Sequence, residues 1–112
     1  MSRRLAVVWT VLIVAACTVP GDQVPEVELR LISPDKAVHV AMFLGFGWLW
    51  IRAGARTRAV VAGGVALAFG IEAWQAVLPI GRFADPYDVV ADLVGLAGGV
   101  AVGLWHRARA AA

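Results

Sequence analysis

The residues of this chain that could do chemistry sit in or beside strongly apolar stretches, and they are spaced as on helices. Asp35 and His39 are four apart, Lys36 and His39 three, Glu72 and Gln75 three, and Asp88 and Asp92 four, so each pair falls on one helical face. His39, Glu72 and Asp92 supply groups suited to acid–base work. Lys36 and Arg82 offer positive charge to an anion such as a phosphate, and an arginine can bond two oxygens at once. Gln75 is placed to orient Glu72, and Asp85 and Asp88 to fix the loop that carries Arg82. Asp88 is also placed to cap the helix that follows, its carboxylate accepting from backbone N–H groups there. No serine or cysteine stands among these residues as a nucleophile, so a reaction here would use His39 itself or an activated water. No metal-ligand motif of diagnostic spacing is present, and neither a metal nor another cofactor is expected.

Composition sets the elements that must position these groups. Of 112 residues, 61% are hydrophobic and 16% charged. A water-soluble domain this small needs a mostly polar skin, so lipid is expected to form part of the solvent. Four apolar runs stand out, at about 5–20, 37–51, 59–78 and 89–105, joined by connections too short for a second domain. The expectation is a single all-α domain over residues 1–112, an integral membrane four-helix bundle. The shorter runs fall below the roughly 20 residues that cross a bilayer comfortably. Lys36 and Arg52, which bracket the second run, can snorkel to make up the difference.

Charge sorts the connections. Arg3, Arg4, Arg52, Arg56, Arg58, Arg107 and Arg109 lie at the termini and in the second loop, whereas Asp22, Glu26, Glu28, Asp35, Asp85 and Asp88 lie in the first and third. The positive-inside rule then gives an N-in/C-in topology with the acidic loops outside. In that arrangement His39, Glu72, Gln75 and Asp92 come within roughly 10 Å of the outer boundary, at 1.5 Å of rise per residue, on three different helices. Ionisable groups are costly in lipid, so they are expected to turn inward. The simplest result is a polar cup, open outward, beneath Arg82, which could pair with Glu72 or Asp92. Trp9, Trp48, Trp50 and Trp105 fall toward the cytoplasmic interface and Trp74 toward the outer one, as in an aromatic belt.

Gly95, Gly99 and Gly103, four apart, suit close helix packing, within one chain or in an oligomer. Cys17, the lone cysteine, follows Val14-Ala15-Ala16 in a pattern resembling the lipoprotein cleavage box. Cleavage would leave an odd number of spans, and a free cysteine in an apolar helix is the preferred reading. The basic residues form no stripe, so nucleic acid is not an expected partner.

Three motifs together resemble the VanZ-like family of small bacterial membrane proteins, named for an accessory determinant of resistance to the glycopeptide teicoplanin. They are Asp35-Lys36 followed by His39, then Glu72 with Gln75, then Gly81-Arg82-Phe83 with Asp85 and Asp88 leading into Asp92 and Gly95. Each alone is weak; their order across the second, third and fourth runs makes the set specific. The family more often has asparagine where Asp92 stands, so this chain carries a second carboxylate near Glu72. The resemblance implies a multi-pass protein of the bacterial cytoplasmic membrane. It would act at the outer face on or beside a cell-envelope lipid, in the setting of glycopeptide resistance. No reaction is implied. Three readings stay open: an enzyme using His39, Glu72 and Asp92 on an anionic envelope lipid; a non-catalytic binder of that lipid or of an antibiotic; and a buried network that only fixes which helices pack.

Overall fold

The structure, a computed structural model, describes residues 3–19, 34–78 and 86–111, with side chains for 3–19, 36–78 and 86–110. These residues form four α-helices and no strand: α1 (Arg3–Thr18), α2 (Pro34–Arg52), α3 (Thr57–Val77) and α4 (Pro86–Ala111). Each expected apolar run lies largely on one of them. Pro34 and Pro86 open α2 and α4, where the missing proline N–H belongs to a group that has no partner in the helix anyway. The fourth run was expected to end near Trp105, yet α4 continues to Ala111. Apolarity marks where a helix is covered, not where it stops, and arginine and alanine are good helix formers.

The turn between α2 and α3 is built by glycine. Gly54 has φ +95, and around it Gly54 N donates to Ile51 O at 3.1 Å and Ala55 N to Trp50 O at 3.1 Å. That is the Schellman pattern, which closes a helix with a left-handed residue where a Cβ would be strained. Arg107 then comes across from α4 and donates to the carbonyls of Ile51 and Ala55, the second at 3.1 Å. A cationic donor thus joins the carbonyls at the C-terminal end of α2 and in the turn that follows, where the helix dipole is negative.

Two helices of the four run side by side in the same direction, and their packing dominates the fold. Going down α2 and α4 together, Lys36 meets Asp88, His39 meets Asp92, and Trp48 meets His106. Between these contacts the backbones touch. A Cβ on Gly95 would collide with the Val40 carbonyl, and one on Gly99 with the Leu44 carbonyl. A Cβ on Gly103 would stand 2.8 Å from Ile51 Cβ, and one on Gly47 of α2 would stand 2.9 Å from Leu96 O. The glycine stripe of α4 is therefore filled by α2 of the same chain, which leaves it no role in an oligomer.

The other two helices run the opposite way. α3 turns a stripe of Val60, Gly64, Ala68, Ile71 and Gln75 inward. The buried residues of α1 are Ala6, Ile13 and Cys17. Indoles tie α1 in place: Trp9 Nε1 donates to Met42 O at 2.8 Å and Trp50 Nε1 to Thr10 Oγ1 at 3.0 Å. The outer faces stay apolar, with Val8, Val11, Leu12, Phe69, Val94 and Trp105 exposed.

Helix packing by glycine makes a sharp expectation. Gly99→Ala should lower stability by about 1–3 kcal/mol, because the new methyl meets backbone that cannot step aside. Gly70→Ala, where an added Cβ meets nothing within 4 Å, should be neutral or gain up to ~1 kcal/mol of helix propensity. Thermal unfolding of the two variants in detergent reads the difference; equal midpoints would mean that the seam is not close-packed.

Candidate functional site

At one end of the bundle α2 and α4 begin and α1 and α3 finish, and there the polar side chains gather. Helical spacing brings Lys36 and His39 to the same side of α2 and Asp88 and Asp92 to the same side of α4. The parallel glycine seam then holds the two sides against each other. Lys36 Nζ lies 2.5 Å from Asp88 Oδ1, with 12% and 9% of the two side chains exposed. His39 Nδ1 lies 2.7 Å from Asp92 Oδ1, and both residues are almost wholly buried, 2% and 1%. The other ring nitrogen of His39 faces Asp88 Oδ2 at 3.8 Å, beyond hydrogen-bond reach but close enough for electrostatic contact. The four groups form one chain, from ammonium to carboxylate to imidazole to carboxylate.

This linkage has a chemical meaning. An ionised Asp92 can only accept, so Nδ1 donates to it, and the ring is fixed in one tautomer and one orientation. Two carboxylates stand against one ammonium and one imidazole. The set is neutral when the ring carries both protons and has one net negative charge when it carries one. Removing any member leaves a largely buried partner uncompensated, which is costlier than never having placed the set there.

Glu72 and Gln75 lie on α3 at the same end. Gln75 is fully buried and donates from Nε2 to Cys17 O at 3.0 Å, which joins α3 to the last turn of α1. The expected role of Gln75, orienting Glu72, is therefore replaced by a helix–helix tie to the Cys17 carbonyl. The Cys17 thiol is buried and in no disulfide. Glu72 sits at the edge of the buried stripe of α3, half-buried, with its Oε1 shielded from solvent.

The proposed cap at Asp88 needs correcting. Asp88 is the third residue of α4, inside its first turn, and its carboxylate is taken up by Lys36 and His39. Its charge still favours the positive end of the helix dipole. Arg82 and Asp85 lie outside the described residues, as does the contact proposed between Arg82 and Glu72 or Asp92. Among the described residues no group of three or more His, Cys, Asp or Glu side chains is disposed to hold a metal ion.

Sequence alone does not single out His106, and it places Arg107 only among the charges of the termini. His106 accepts at Nδ1 from Trp48 Nε1 at 2.9 Å, and Arg107 closes α2 as described above. Both lie beyond the apolar run, where no span was expected. The four-residue rhythm of Gly95, Gly99 and Gly103, carried one step further, would have pointed to Arg107.

Fold and site define an all-α protein with a close parallel helix pair and ionisable residues buried at one end of it. The family model VanZ/LLP1 matches residues 4–107, nearly the full length, and the chain belongs to that family. No curated protein and no solved structure matches it significantly.

If Lys36 and Asp88 are a buried pair, Lys36→Met should destabilise by about 3 kcal/mol, and Lys36→Met with Asp88→Leu should recover most of that. Denaturation of the two single variants, the double variant and the parent gives the coupling; strictly additive losses would mean that the two side chains do not depend on each other.

Proposed function

We propose that the chain is a four-span, N-in/C-in protein of the bacterial cytoplasmic membrane, a single VanZ-like domain over residues 1–112, that holds the anionic headgroup of a cell-envelope lipid at its outer face. One observation carries this reading: the molecule is inside out. Large apolar side chains cover its outside, while Lys36, His39, Asp88 and Asp92 are enclosed between α2 and α4. Thr57–Val77 and Pro86–Ala110 are long and apolar enough to cross a membrane, yet only 28% and 39% of their most apolar windows are buried within the chain. Core helices of a water-soluble protein would be mostly covered, so the remaining surface is suited to lipid. α1 and α2 are shorter, at 16 and 19 residues, and reach the interfaces with Arg3, Arg4, Lys36 and Arg52.

In this reading the polar cluster opens toward the outer leaflet. Lys36 is its least buried charged group after the chain of contacts is traced upward, and the loop carrying Arg82 and Asp85 joins α3 to α4 at the same end. Lys36 and Arg82 would hold the headgroup, with His39, Asp92, Glu72 and Gln75 as the fixed polar floor beneath. Masking such a headgroup fits the glycopeptide setting from which the family takes its name. Turnover is the second reading, and the 2.7 Å contact of His39 with Asp92 favours it, since a carboxylate that orients an imidazole is how a general base is commonly prepared.

Two measurements separate these. In a Cys17→Ser background, Arg82→Cys should react with a membrane-impermeant maleimide in intact cells, and Arg56→Cys only after permeabilisation; the reverse pattern would overturn the orientation. For the site, binding of a phosphate-bearing envelope lipid by the purified protein should survive His39→Asn and Glu72→Gln within about threefold but fall more than tenfold in Arg82→Ala, as expected for a lost charge-assisted contact. Headgroup release that disappears in His39→Asn while the protein still accumulates would establish turnover instead. Loss of the protein itself from the membrane in all three variants would reduce the cluster to packing.

A further inference from the structure

The opposite end of the bundle carries a feature that the polar cluster does not explain. Between α1, α2 and α3 lies a groove of about 590 Å³, inside the range of roughly 300–1,000 Å³ typical of small-molecule sites. Phe46, Trp50, Val60 and Leu67 wall it, and Gly63 and Gly70 keep it open, since a Cβ on either glycine would meet nothing within 4 Å. Its hydroxyl, Thr10 Oγ1, is already engaged, donating to Ala6 O at 2.8 Å and accepting from Trp50 Nε1 at 3.0 Å. The groove therefore asks for hydrocarbon.

Length and charge say which hydrocarbon. Along α3 the groove extends from Ala59 to Gly70, about 16 Å at 1.5 Å per residue. That is close to half of a hydrocarbon core of about 30 Å, the depth of one leaflet. A helix from a second copy would run the full thickness, so an acyl chain is the better match. The mouth lies at Ala55 and Ala59, interleaved with Arg52, Arg56 and Arg58. Arg56 and Arg58 are exposed, and Arg52 Nε is shielded without a hydrogen-bond partner among the described residues. No aspartate or glutamate occurs in the sequence between Lys36 and Ile71, and Glu72, Asp88 and Asp92 are at the far end of the bundle. Arg107, the other arginine near this turn, is committed to the carbonyls of Ile51 and Ala55. The first turn of α3 begins at the same mouth with no side-chain cap on its N–H groups, which adds to the positive potential there.

We infer that this groove is a binding site for an anionic phospholipid of the leaflet facing the arginine turn: one acyl chain lies along α3, and the phosphate rests on Arg52, Arg56 and Arg58. The inference rests on the membrane reading above but is independent of the polar cluster and its ligand.

The test uses the whole chain in phosphatidylcholine vesicles containing a small fraction of phosphatidylglycerol, with bromine on the acyl chains of one lipid or the other. Bromine quenches tryptophan on contact, and Trp50 lines the groove. Brominated phosphatidylglycerol should quench a component that is absent in Trp50→Phe, and do so with at least about tenfold preference over brominated phosphatidylcholine, since two or three arginines near the surface contribute about fivefold each. Gly63→Leu, which fills open space, should remove that preference while leaving the fold intact. Arg56→Gln and Arg58→Gln should each lower it about fivefold. Equal quenching by both lipids would overturn the site while leaving the membrane reading in place, and so would a preference unchanged in Gly63→Leu. A component that vanishes as protein is concentrated in the bilayer would assign the groove to a second copy, which also overturns it. Quenching by neither lipid would remove the membrane reading itself, and the site with it.

Discussion

The close approach of α2 and α4 is the constraint on which the rest of the structure depends. Gly95 and Gly99 let the α4 backbone come against the Val40 and Leu44 carbonyls, and Gly47 returns the contact from α2. Glycine is used here for the space its missing side chain leaves; among the described residues only Gly54, in the turn, is used for its backbone freedom. Where helices meet without hydrophobic drive between them, dispersion over a long, tight seam supplies the association, and it requires small residues in register. A one-residue slip would bring side chains into the contact and separate every polar pair above it.

The ionic cluster sits at the head of this seam and is affected by it in both directions. Buried ion pairs rarely add much net stability, because desolvation consumes most of their attraction. What they supply is discrimination: Lys36 on Asp88 and His39 on Asp92 are satisfied in one register only. Arg107, reaching the Ile51 carbonyl of α2 and the Ala55 carbonyl of the turn at the other end, fixes the same register from below. Between these two anchors the glycine contacts and the Trp48–His106 hydrogen bond hold the same register. The same residues can therefore position helices and present charge at an end of the bundle, and only functional measurements separate the two roles.

Much of this was legible in the residues. Runs of apolar sequence gave four helices, and three- and four-residue spacings put Lys36 with His39 and Asp88 with Asp92. The family was legible as well, because its motifs lie in order on three helices. Partner choice was not. Spacing says which side chains share a face of one helix and nothing about which face of another helix they meet. Gln75 shows the limit: it shares a face with Glu72 but bonds a backbone carbonyl on α1, information held by neither residue's neighbours in sequence. Asp88 shows another. As the last acid before an apolar run it reads as a cap, whereas Pro86 had already begun the helix. The end of α4 was missed for a related reason, since Arg107 and Arg109 interrupt apolarity without interrupting helical backbone.

That α2 and α4 point the same way has a consequence for how the chain is made. Parallel neighbours cannot be joined by a hairpin; α3 must first travel back between them. The carboxylate that receives His39 is encoded 53 positions after it, and the one that receives Lys36 comes 52 positions after. While the ribosome is still producing α3, Lys36 and His39 have been made and their carboxylate partners on α4 have not. Until the final helix arrives, those groups must linger near water or lean on temporary partners. α4 thus completes a structure begun with α2, and a nascent polypeptide that stopped short of Asp88 would hold a lysine and a histidine with neither of their α4 carboxylates.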